Sequence, residues 1–549
     1  MQTFFYRFLM VGAMAGVTAV PAGAEQNRLD QSDPTIAEKA LPELGTPMPP
    51  KMPLPGTDVA RGDAVVAGEI RIRPATAVVV QGAEDVPATA YADVIAPVLG
   101  RQLSRQELAA LASSIGRVVR SRGYPFATAV IAPQAMADGI LRVTVDRGRI
   151  DAVRVIGAQN ATADAILMKT LITHQAVRQA DLERALLLVG DVPGVRVKDT
   201  RFVQQEGFGI LLVTIEQDRA SAYAQIDNRG TDEVGPLRAT LLGNVRGIAG
   251  DGDELGIVVA QTPIDTSEFT FVRARYAAPI DADGSVLAVS GSYGWSHPGA
   301  ALRPFDIKGR SGDVSVGYLR PLLRRKARSV WASVDLRALT TRQTLAGRTL
   351  RQDRLATLTG SLNGTMAAGG GTVRGEVAAQ FGVPNVSDLA SRIDGDGTFT
   401  AITYLVDWTA PLTGPFSVVL ASAGQVASRP LLAVAEIGLG GPSFGRAYDY
   451  AERTGDYGLM GSVEVRADAG RIVPGVIDRL QFYGFGDGGA VGNRRGGGGG
   501  GTLGSAGAGL RGGAGRIDAL VELAFPIGED RFDTGDRKPR LSVRLARAF

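Results

Sequence analysis

The sequence has no cysteine and only two histidines among its 549 residues. The absence of cysteine excludes a disulfide framework, thiol catalysis and thiolate metal sites. His174 and His297 stand in no ligand or catalytic pattern, so we expect no catalytic residue, no metal site and no cofactor. An excess of one charge is also missing, since 59 basic and 56 acidic side chains leave a net charge of +3. Without a basic block or a phosphate-binding loop, no nucleic-acid or nucleotide partner is expected.

Long apolar segments are missing everywhere except near the start. Arg7 precedes a short apolar run, 8–20, and Ala22-Gly23-Ala24 is a cleavage site of the A-x-A type, so residues 1–24 are predicted to be a secretory signal peptide. No run of about twenty apolar residues follows, and transmembrane helices are therefore not expected. An exported chain that enters a membrane without such helices must do so as a closed β-barrel.

Residues 25–72 are rich in proline and are predicted to be a linker, because proline keeps the backbone extended. Within this linker, Asp33-Pro34 can open a short helix that runs to Leu41, and Pro42 would end it.

Two small α+β domains are predicted next, at 73–148 and 149–219. In the first, Ser104 and Glu107 form a capping box for a helix whose apolar residues recur at helical spacing. Its other predicted elements are a strand at 77–81, a helix at 90–99 and strands at 126–131 and 140–145. The second domain repeats the pattern, with a strand at 152–156, helices at 162–171 and 180–189, and strands at 195–204 and 209–216. The repetition indicates two copies of one module.

From residue 220 to residue 549, segments of about ten residues alternate between apolar and polar side chains. In one such segment, Val334 and Leu336 alternate with Ser333, Asp335 and Arg337. A soluble β-sandwich or propeller shows the same alternation. The signal peptide and the terminal Phe549, in phase with the apolar face of the last strand, favour a transmembrane barrel instead. At roughly twenty residues for each strand and loop, this region holds about sixteen antiparallel strands. The fold class is therefore mainly β, with a transmembrane barrel behind two α+β domains.

Short motifs give the chain a specific resemblance. In the first small domain these are Arg122-Gly123-Tyr124 and Asp138-Gly139, in the second Pro193-Gly194, and at the start of the barrel Asp227-Asn228-Arg229-Gly230. Through them the chain resembles the TpsB transporters of two-partner secretion, the haemolysin secretion/activation and filamentous-haemagglutinin transporter type, within the outer-membrane insertase superfamily. The two small domains are similar to the POTRA domains of that family.

Two barrel motifs strengthen the resemblance. Gly445-Arg446-Ala447-Tyr448 is similar to the V-R-G-[YF] tip of the loop that folds into the family's barrel, with Gly445 in place of Val and Ala447 in place of Gly. The stretch Phe485-Gly486-Asp487-Gly488-Gly489 matches the F-x-D-x-G motif of the inner wall through Phe485, Asp487 and Gly489. The resemblance implies an inserted loop at about 430–456, held by an ion pair between Arg446 and Asp487. A bidentate contact is expected, because two N–H groups of a guanidinium can donate to the two oxygens of one carboxylate.

The resemblance also implies a function. Members of the family capture an unfolded exoprotein in the periplasm and translocate it across the outer membrane to the cell surface. The exported partner, an adhesin, a cytolysin or an enzyme, is not specified by the sequence, and whether the helix near Pro34 plugs the pore stays open. Contacts with outer-membrane lipid are implied, and insertion by the barrel-assembly machinery would use the C-terminal strand that ends in Phe549. The alternative is an outer-membrane pore, or a barrel-assembly factor, without a dedicated exported partner.

Overall fold

The computed structural model describes residues 29–39, 41, 57–59, 74–135, 138–205, 207–383, 389–495 and 497–549. The predicted signal peptide, 1–24, lies outside these residues. Of the predicted linker, 25–72, only the segments 29–39, 41 and 57–59 are described. Among the described residues, every helix is too short or too polar to cross a membrane.

Two segments of the predicted linker form secondary structure, one a helix and the other a strand. Helix α1 (Pro34–Glu38) begins at a proline, which suits the first turn because the missing N–H has no helical partner there. It ends at Glu38, three residues before the predicted end at Leu41. Strand β1 (Thr57–Val59) lies further along the chain.

The first small domain has one long helix over a three-stranded sheet. Its elements are β2 (Ala77–Gln81), α2 (Ala92–Ile95), α3 (Arg105–Ser121), β3 (Thr128–Val130) and β4 (Ile140–Asp146). The sheet order is β2-β4-β3, with β2 parallel to β4. Both hydrogen bonds of the capping box between Ser104 and Glu107 are present at the start of α3. The predicted helix at 90–99 is divided into α2 and two flanking 3-10 turns. Pro97, which has no N–H to continue a helix, lies in the second of these turns.

The second small domain places two helices on a sheet. Its elements are β5 (Ala152–Gly157), α4 (Ala161–Leu171), α5 (Gln179–Asp191), β6 (Val195–Gln205) and β7 (Phe208–Gln217). The sheet order is β1-β6-β7-β5, so the linker strand β1 adds in parallel to the edge of this domain. Thr57 lies opposite Thr200. An apolar core that includes Ile166, Leu182 and Val213 lies between the helices and the sheet.

The rest of the chain forms a closed barrel of sixteen strands, each antiparallel to its neighbours. The first eight are β8 (Ala220–Asp227), β9 (Arg238–Arg246), β10 (Glu254–Gln261), β11 (Phe269–Pro279), β12 (Val286–Ser296), β13 (Ile307–Arg324), β14 (Arg328–Leu345) and β15 (Arg348–Ala368). The other eight are β16 (Gly371–Val383), β17 (Thr400–Pro411), β18 (Phe416–Ala427), β21 (Tyr457–Gly470), β22 (Arg479–Gly492), β23 (Gly501–Ala514), β24 (Ile517–Ile527) and β25 (Arg540–Ala548). Between β18 and β21, two short strands, β19 (Ile437–Leu439) and β20 (Arg453–Gly455), pair with each other. The predicted fold class is confirmed.

The barrel strands place their two faces as the alternation predicts. The side chains of Val334 and Leu336 are 50% and 54% exposed on the outer face, whereas Trp331 points inward and is buried. Phe549 is also exposed, next to an outer row that includes Leu541 and Leu545. The barrel closes where β8 pairs with β25 over five residue pairs, from Asp227–Arg544 to Tyr223–Ala548.

Candidate functional site

The candidate site lies inside the barrel, where a long loop folds back into the lumen. This inserted loop spans 428–456, between β18 and β21, and the β19–β20 hairpin forms its base. At its turns, Gly440 and Gly445 have φ values of +112° and +76°, which other residues rarely adopt. A Cβ atom on Gly440 would also lie 2.1 Å from the carbonyl oxygen of Asp449. Glycine is therefore required for the loop to fold back.

The loop tip is attached to the barrel wall at Asp487 of β22. One oxygen of this carboxylate, Oδ1, accepts the backbone N–H groups of Gly445 at 2.7 Å and Arg446 at 3.1 Å, and also the hydroxyl of Ser505. The other oxygen, Oδ2, lies 3.1 Å from Nε of Arg446, without the alignment of a hydrogen bond. Asp487 is fully buried, so its charge depends on these partners.

The structure brings Arg446 and Asp487 together but differs from the expected bidentate pair. Nη1 of Arg446 donates to Glu464 at 2.7 Å and to Glu522 at 3.3 Å, so only Nε faces Asp487. The guanidinium also stacks over the ring of Phe485, 4.2 Å from its centroid. Three carboxylates and an aromatic ring thus share one arginine, because the tip enters a wall that carries acids on β21, β22 and β24.

Several of the side chains around Arg446 were not predicted as site residues. Arg511 contacts both oxygens of Glu464 at 2.8 and 3.0 Å, and Arg466 donates to the same carboxylate at 2.6 Å. The hydroxyl of Tyr483 donates to Glu522 at 2.9 Å. The sequence signal that could find these residues is a charge at an inward position of a barrel strand, as in Val463-Glu464-Val465.

The remaining residues of the two barrel motifs pack around the tip. Ala447 and Tyr448 are fully buried, and the phenol of Tyr448 donates to the carbonyl of Glu529 at 2.9 Å. A Cβ atom on Gly489 would lie 2.5 Å from the carbonyl oxygen of Leu459, so this position must stay without a side chain.

The segment around α1 also lies in the lumen, between the wall and the inserted loop. Glu38 accepts hydrogen bonds from Arg273 at 3.0 Å and Arg337 at 2.7 Å, and Asp30 pairs with Arg351 of β15. From the same segment, Lys39 donates to the carbonyl of Val434 in the inserted loop at 2.8 Å. The helix and the loop therefore occupy the lumen as one packed unit.

The motif residues of the two small domains occupy turns and packing positions. Gly123, Gly139 and Gly194 have φ values of +98°, +71° and +77°. The phenol of Tyr124 donates to Asp85, and this hydrogen bond lowers the pKa of the Asp85 carboxyl. The remaining two motif residues are Asp138, which is exposed, and Pro193, which precedes the Gly194 turn.

Within the ranges that the model describes, no three His, Asp or Glu side chains are grouped so as to hold a metal ion. The ring nitrogen Nε2 of His297 lies 3.0 Å from the carboxylate of Asp306.

Comparisons with known proteins agree with this arrangement. Residues 74–148 match the model of the POTRA domain, ShlB-type, and residues 209–512 match that of the haemolysin secretion/activation protein ShlB/FhaC/HecB. The heme/hemopexin transporter protein HuxB of Haemophilus influenzae strain 86-028NP is 23% identical over 476 residues, which are 83% of each chain. HuxB of strain ATCC 51907 is also 23% identical, over 81% of each chain.

Solved structures share the fold. CdiB from Escherichia coli superposes with a TM-score of 0.68 at 18% identity, over 98% of this chain and 100% of that one. CdiB from Acinetobacter baumannii gives a TM-score of 0.61 at 15% identity, with the same coverage. The Haemophilus ducreyi BamA that lacks POTRA domains 1–3 gives 0.52 at 13% identity, over 88% of this chain and 100% of that one. With a family model that covers more than half of its length, the chain belongs to the haemolysin secretion/activation family ShlB/FhaC/HecB and is an outer-membrane transporter of two-partner secretion, with its POTRA domain in the periplasm.

Proposed function

We propose that the protein captures an unfolded exoprotein at its small domains and conducts it through the barrel once the inserted loop and α1 leave the lumen. The observation that carries this proposal is the attachment of the loop tip to Asp487 by two backbone N–H groups and one guanidinium. A passing chain needs the space that the loop and α1 fill. The lumen contacts therefore define a closed state, and transport requires their release.

Capture is proposed to occur by strand addition at the edges of the two small sheets. An edge strand offers unpaired backbone groups, and backbone pairing tolerates many sequences, which suits a long unfolded client. In the second domain, β1 already pairs with β6, so the exported chain would add at β5. In the first domain, β2 and β3 are the edges.

Membrane insertion is proposed to use the last strand. The ring of Phe549 is exposed on the outer face, and its backbone N–H donates to the carbonyl of Ala222 at 2.8 Å. A terminal aromatic in an outward row is the feature that the barrel-assembly machinery would recognise. The predicted signal peptide, 1–24, would deliver the chain to the periplasm.

The proposal is tested by deleting residues 73–148 and co-expressing the transporter with its exported partner. We expect secretion to be lost while the barrel still shows heat-modifiable migration on a gel and forms pores in planar bilayers. Normal secretion from the deletion variant would contradict capture by the first domain. Loss of the barrel itself would be recognised from the gel, and point variants at β2 would then replace the deletion.

A further inference from the structure

We propose that Asn228 and Arg229 are positioning residues that couple closure of the barrel to the position of the inserted loop. The inference rests on the proposed function, in which this loop must move for transport. It concerns the junction of β8 and β25, the closing seam, and a tetrapeptide, Asp227-Asn228-Arg229-Gly230, that the transport mechanism above does not use.

The closing seam is short, and a side chain extends it. Backbone pairing of β8 with β25 covers five residue pairs and ends at Asp227–Arg544, whereas β24 and β25 pair over eight. Beyond Asp227, the side-chain amide of Asn228 continues the ladder. Its Nδ2 donates to the carbonyl of Leu541 at 2.9 Å, and its Oδ1 accepts the N–H of Val543 at 2.7 Å. The backbone N–H of Asn228 donates to the carbonyl of Val543 at 3.2 Å.

A side-chain amide is well suited to make these two contacts together. It presents a donor and an acceptor side by side, as a peptide group does, whereas a carboxylate has no donor and a methyl group has neither. The side chain of Asn228 thus replaces one peptide unit of β8 at the end of the seam.

The next residue reaches the loop. Arg229 donates from Nη1 to the carbonyl of Arg446 at 3.0 Å and from Nη2 to the carboxylate of Glu522. Its side chain is 11% exposed, so the contacts lie in the enclosed lumen. Asn228 and Arg229 lie just beyond the end of β8, where Asn228 contacts the seam and Arg229 contacts the loop tip.

Two further contacts hold the tetrapeptide in this shape. Oδ1 of Asp227 accepts the backbone N–H of Arg229 at 2.9 Å. A Cβ atom on Gly230 would lie 1.9 Å from the carbonyl oxygen of Gly235, so a side chain there would displace the turn.

The other strand of the seam contacts the same loop. Arg540 of β25 pairs with the carboxylate of Asp449 in the inserted loop and donates to the carbonyl of Gly230 at 3.4 Å. Residues at the ends of both seam strands therefore hold the loop. If the end of β8 at Asp227 separates from β25, Arg229 moves away from the loop tip. Opening of the seam is therefore expected to displace the inserted loop.

The test uses purified full-length protein, with two readouts. The temperature at which migration on the gel changes reports how stably the seam is closed. Conductance in planar bilayers reports whether the inserted loop still fills the lumen. Asn228→Ala and the near-isosteric Asn228→Asp should each lower the transition temperature and raise the conductance. The matched control is Asn244→Ala in the adjacent strand β9, where the amide is only 3.5 Å from the hydroxyl of Ser221 and neither readout should change.

A disulfide across the seam makes the coupling testable, since the chain has no cysteine of its own. Ile226 and Leu545 are paired residues of the seam, and the double substitution Ile226→Cys/Leu545→Cys would join them. In the Asn228→Ala background, oxidation should restore both the transition temperature and the conductance, and reduction should reverse both. In an Arg229→Gln background, oxidation should leave the raised conductance unchanged, because the contact with the loop is missing.

Two outcomes would overturn the inference. In the first, Asn228→Ala lowers the transition temperature while the conductance stays at the wild-type value. In the second, the oxidised disulfide restores the temperature but not the conductance. Failure of the proposed function is a separate result, in which Arg446→Ala leaves conductance and secretion as in the wild type.

Discussion

Arg446 is the side chain on which most contacts of the lumen converge. Its guanidinium meets Asp487, Glu464 and Glu522, and its carbonyl accepts a hydrogen bond from Arg229. Leaving a buried carboxylate without its partner costs more free energy than leaving an exposed one unpaired. The loop tip should therefore detach when either Arg446 or Asp487 is replaced.

Because transport depends on a correctly positioned loop that can return to the wall as well as leave it, we expect Arg446→Ala and Asp487→Ala to impair secretion while the barrel still assembles. In a double-mutant cycle, the double variant should be no worse than the more impaired single variant, because the two residues act through one contact. Secretion of the co-expressed exoprotein is the measurement. Arg374→Ala is the matched control, since its pair with Asp407 at 3.0 Å lies on the wall away from the loop. Additive losses would contradict the coupling.

A second prediction concerns two neighbouring residues on opposite faces of β14. Val334 is 50% exposed on the outer face, whereas the hydroxyl of Ser333 donates to Asp335 inside the barrel at 3.1 Å. Val334→Arg should destabilise the barrel by roughly 2–4 kcal/mol if Val334 lies near the bilayer midplane. Ser333→Arg should be tolerated, because a guanidinium there can pair with Asp335. Urea unfolding in lipid vesicles measures the free energy of unfolding of both variants. An equal loss of stability in the two would contradict the face assignment.

At this scale the sequence predicts some contacts and not others. The two motifs locate Arg446 and Asp487, but the alternation gives only the face of Glu464, Glu522 and Arg511, never their height in the barrel. Arg229 and Arg446 are 217 residues apart in the chain. Their meeting depends on the register of sixteen strands, which local patterns do not encode.

Among the elements, the short helix α1 depends most on contacts with other parts of the chain. This five-residue helix is held by partners on β11, β14 and the inserted loop rather than by its own turns. A helix of this length is not stable in water, so its shape depends on those contacts. The sequence shows the Asp33-Pro34 start, but the partners of α1 lie on strands far apart in the chain, so local patterns do not predict where it docks.

Removing one anchor should release α1 more often. Glu38 is 5% exposed and accepts hydrogen bonds from two arginines, and Glu38→Gln keeps the shape while removing the charge. Hydrogen bonds to charged groups contribute about 1.5–3 kcal/mol, which corresponds to a tenfold or larger rise in the released population. Conductance in planar bilayers should rise accordingly. The control is Asp407→Asn, which neutralises a wall carboxylate that does not contact α1, and a rise of equal size there would contradict the assignment.

At the scale of the whole molecule, a partly buried ion pair joins the second small domain to the barrel. Asp191, at the end of α5, accepts two hydrogen bonds from Arg324 of β13, at 2.6 and 2.7 Å. The guanidinium of Arg324 is 3% exposed and also lies over the ring of Trp331. Beside this pair, a cavity of about 380 Å³ opens between the domain and the barrel mouth, lined by Leu188, Pro193 and Arg275, among others.

Asp191→Asn should loosen the domain from the barrel by roughly 1–3 kcal/mol, because the buried guanidinium loses a charged partner. Hydrogen exchange of α5 and of the β13–β14 turn, measured on the full protein, should become faster. Lys169→Met is the comparison, since the pair of Lys169 with Asp283 is half-exposed and exposed pairs contribute little. Unchanged exchange in Asp191→Asn would show that other contacts hold the domain.

The pairing of β1 with β6 has a consequence for how the pore closes again. Fifteen residues separate Leu41 in the lumen from Thr57 in β1, so the chain between them can span at most about 55 Å. When α1 leaves the lumen, it stays attached to the second domain within that radius, and its return is an intramolecular step. A short tether can hold the effective concentration of the attached segment in the millimolar range. We therefore expect the pore to close again without any free ligand, because α1 remains tethered to the second small domain.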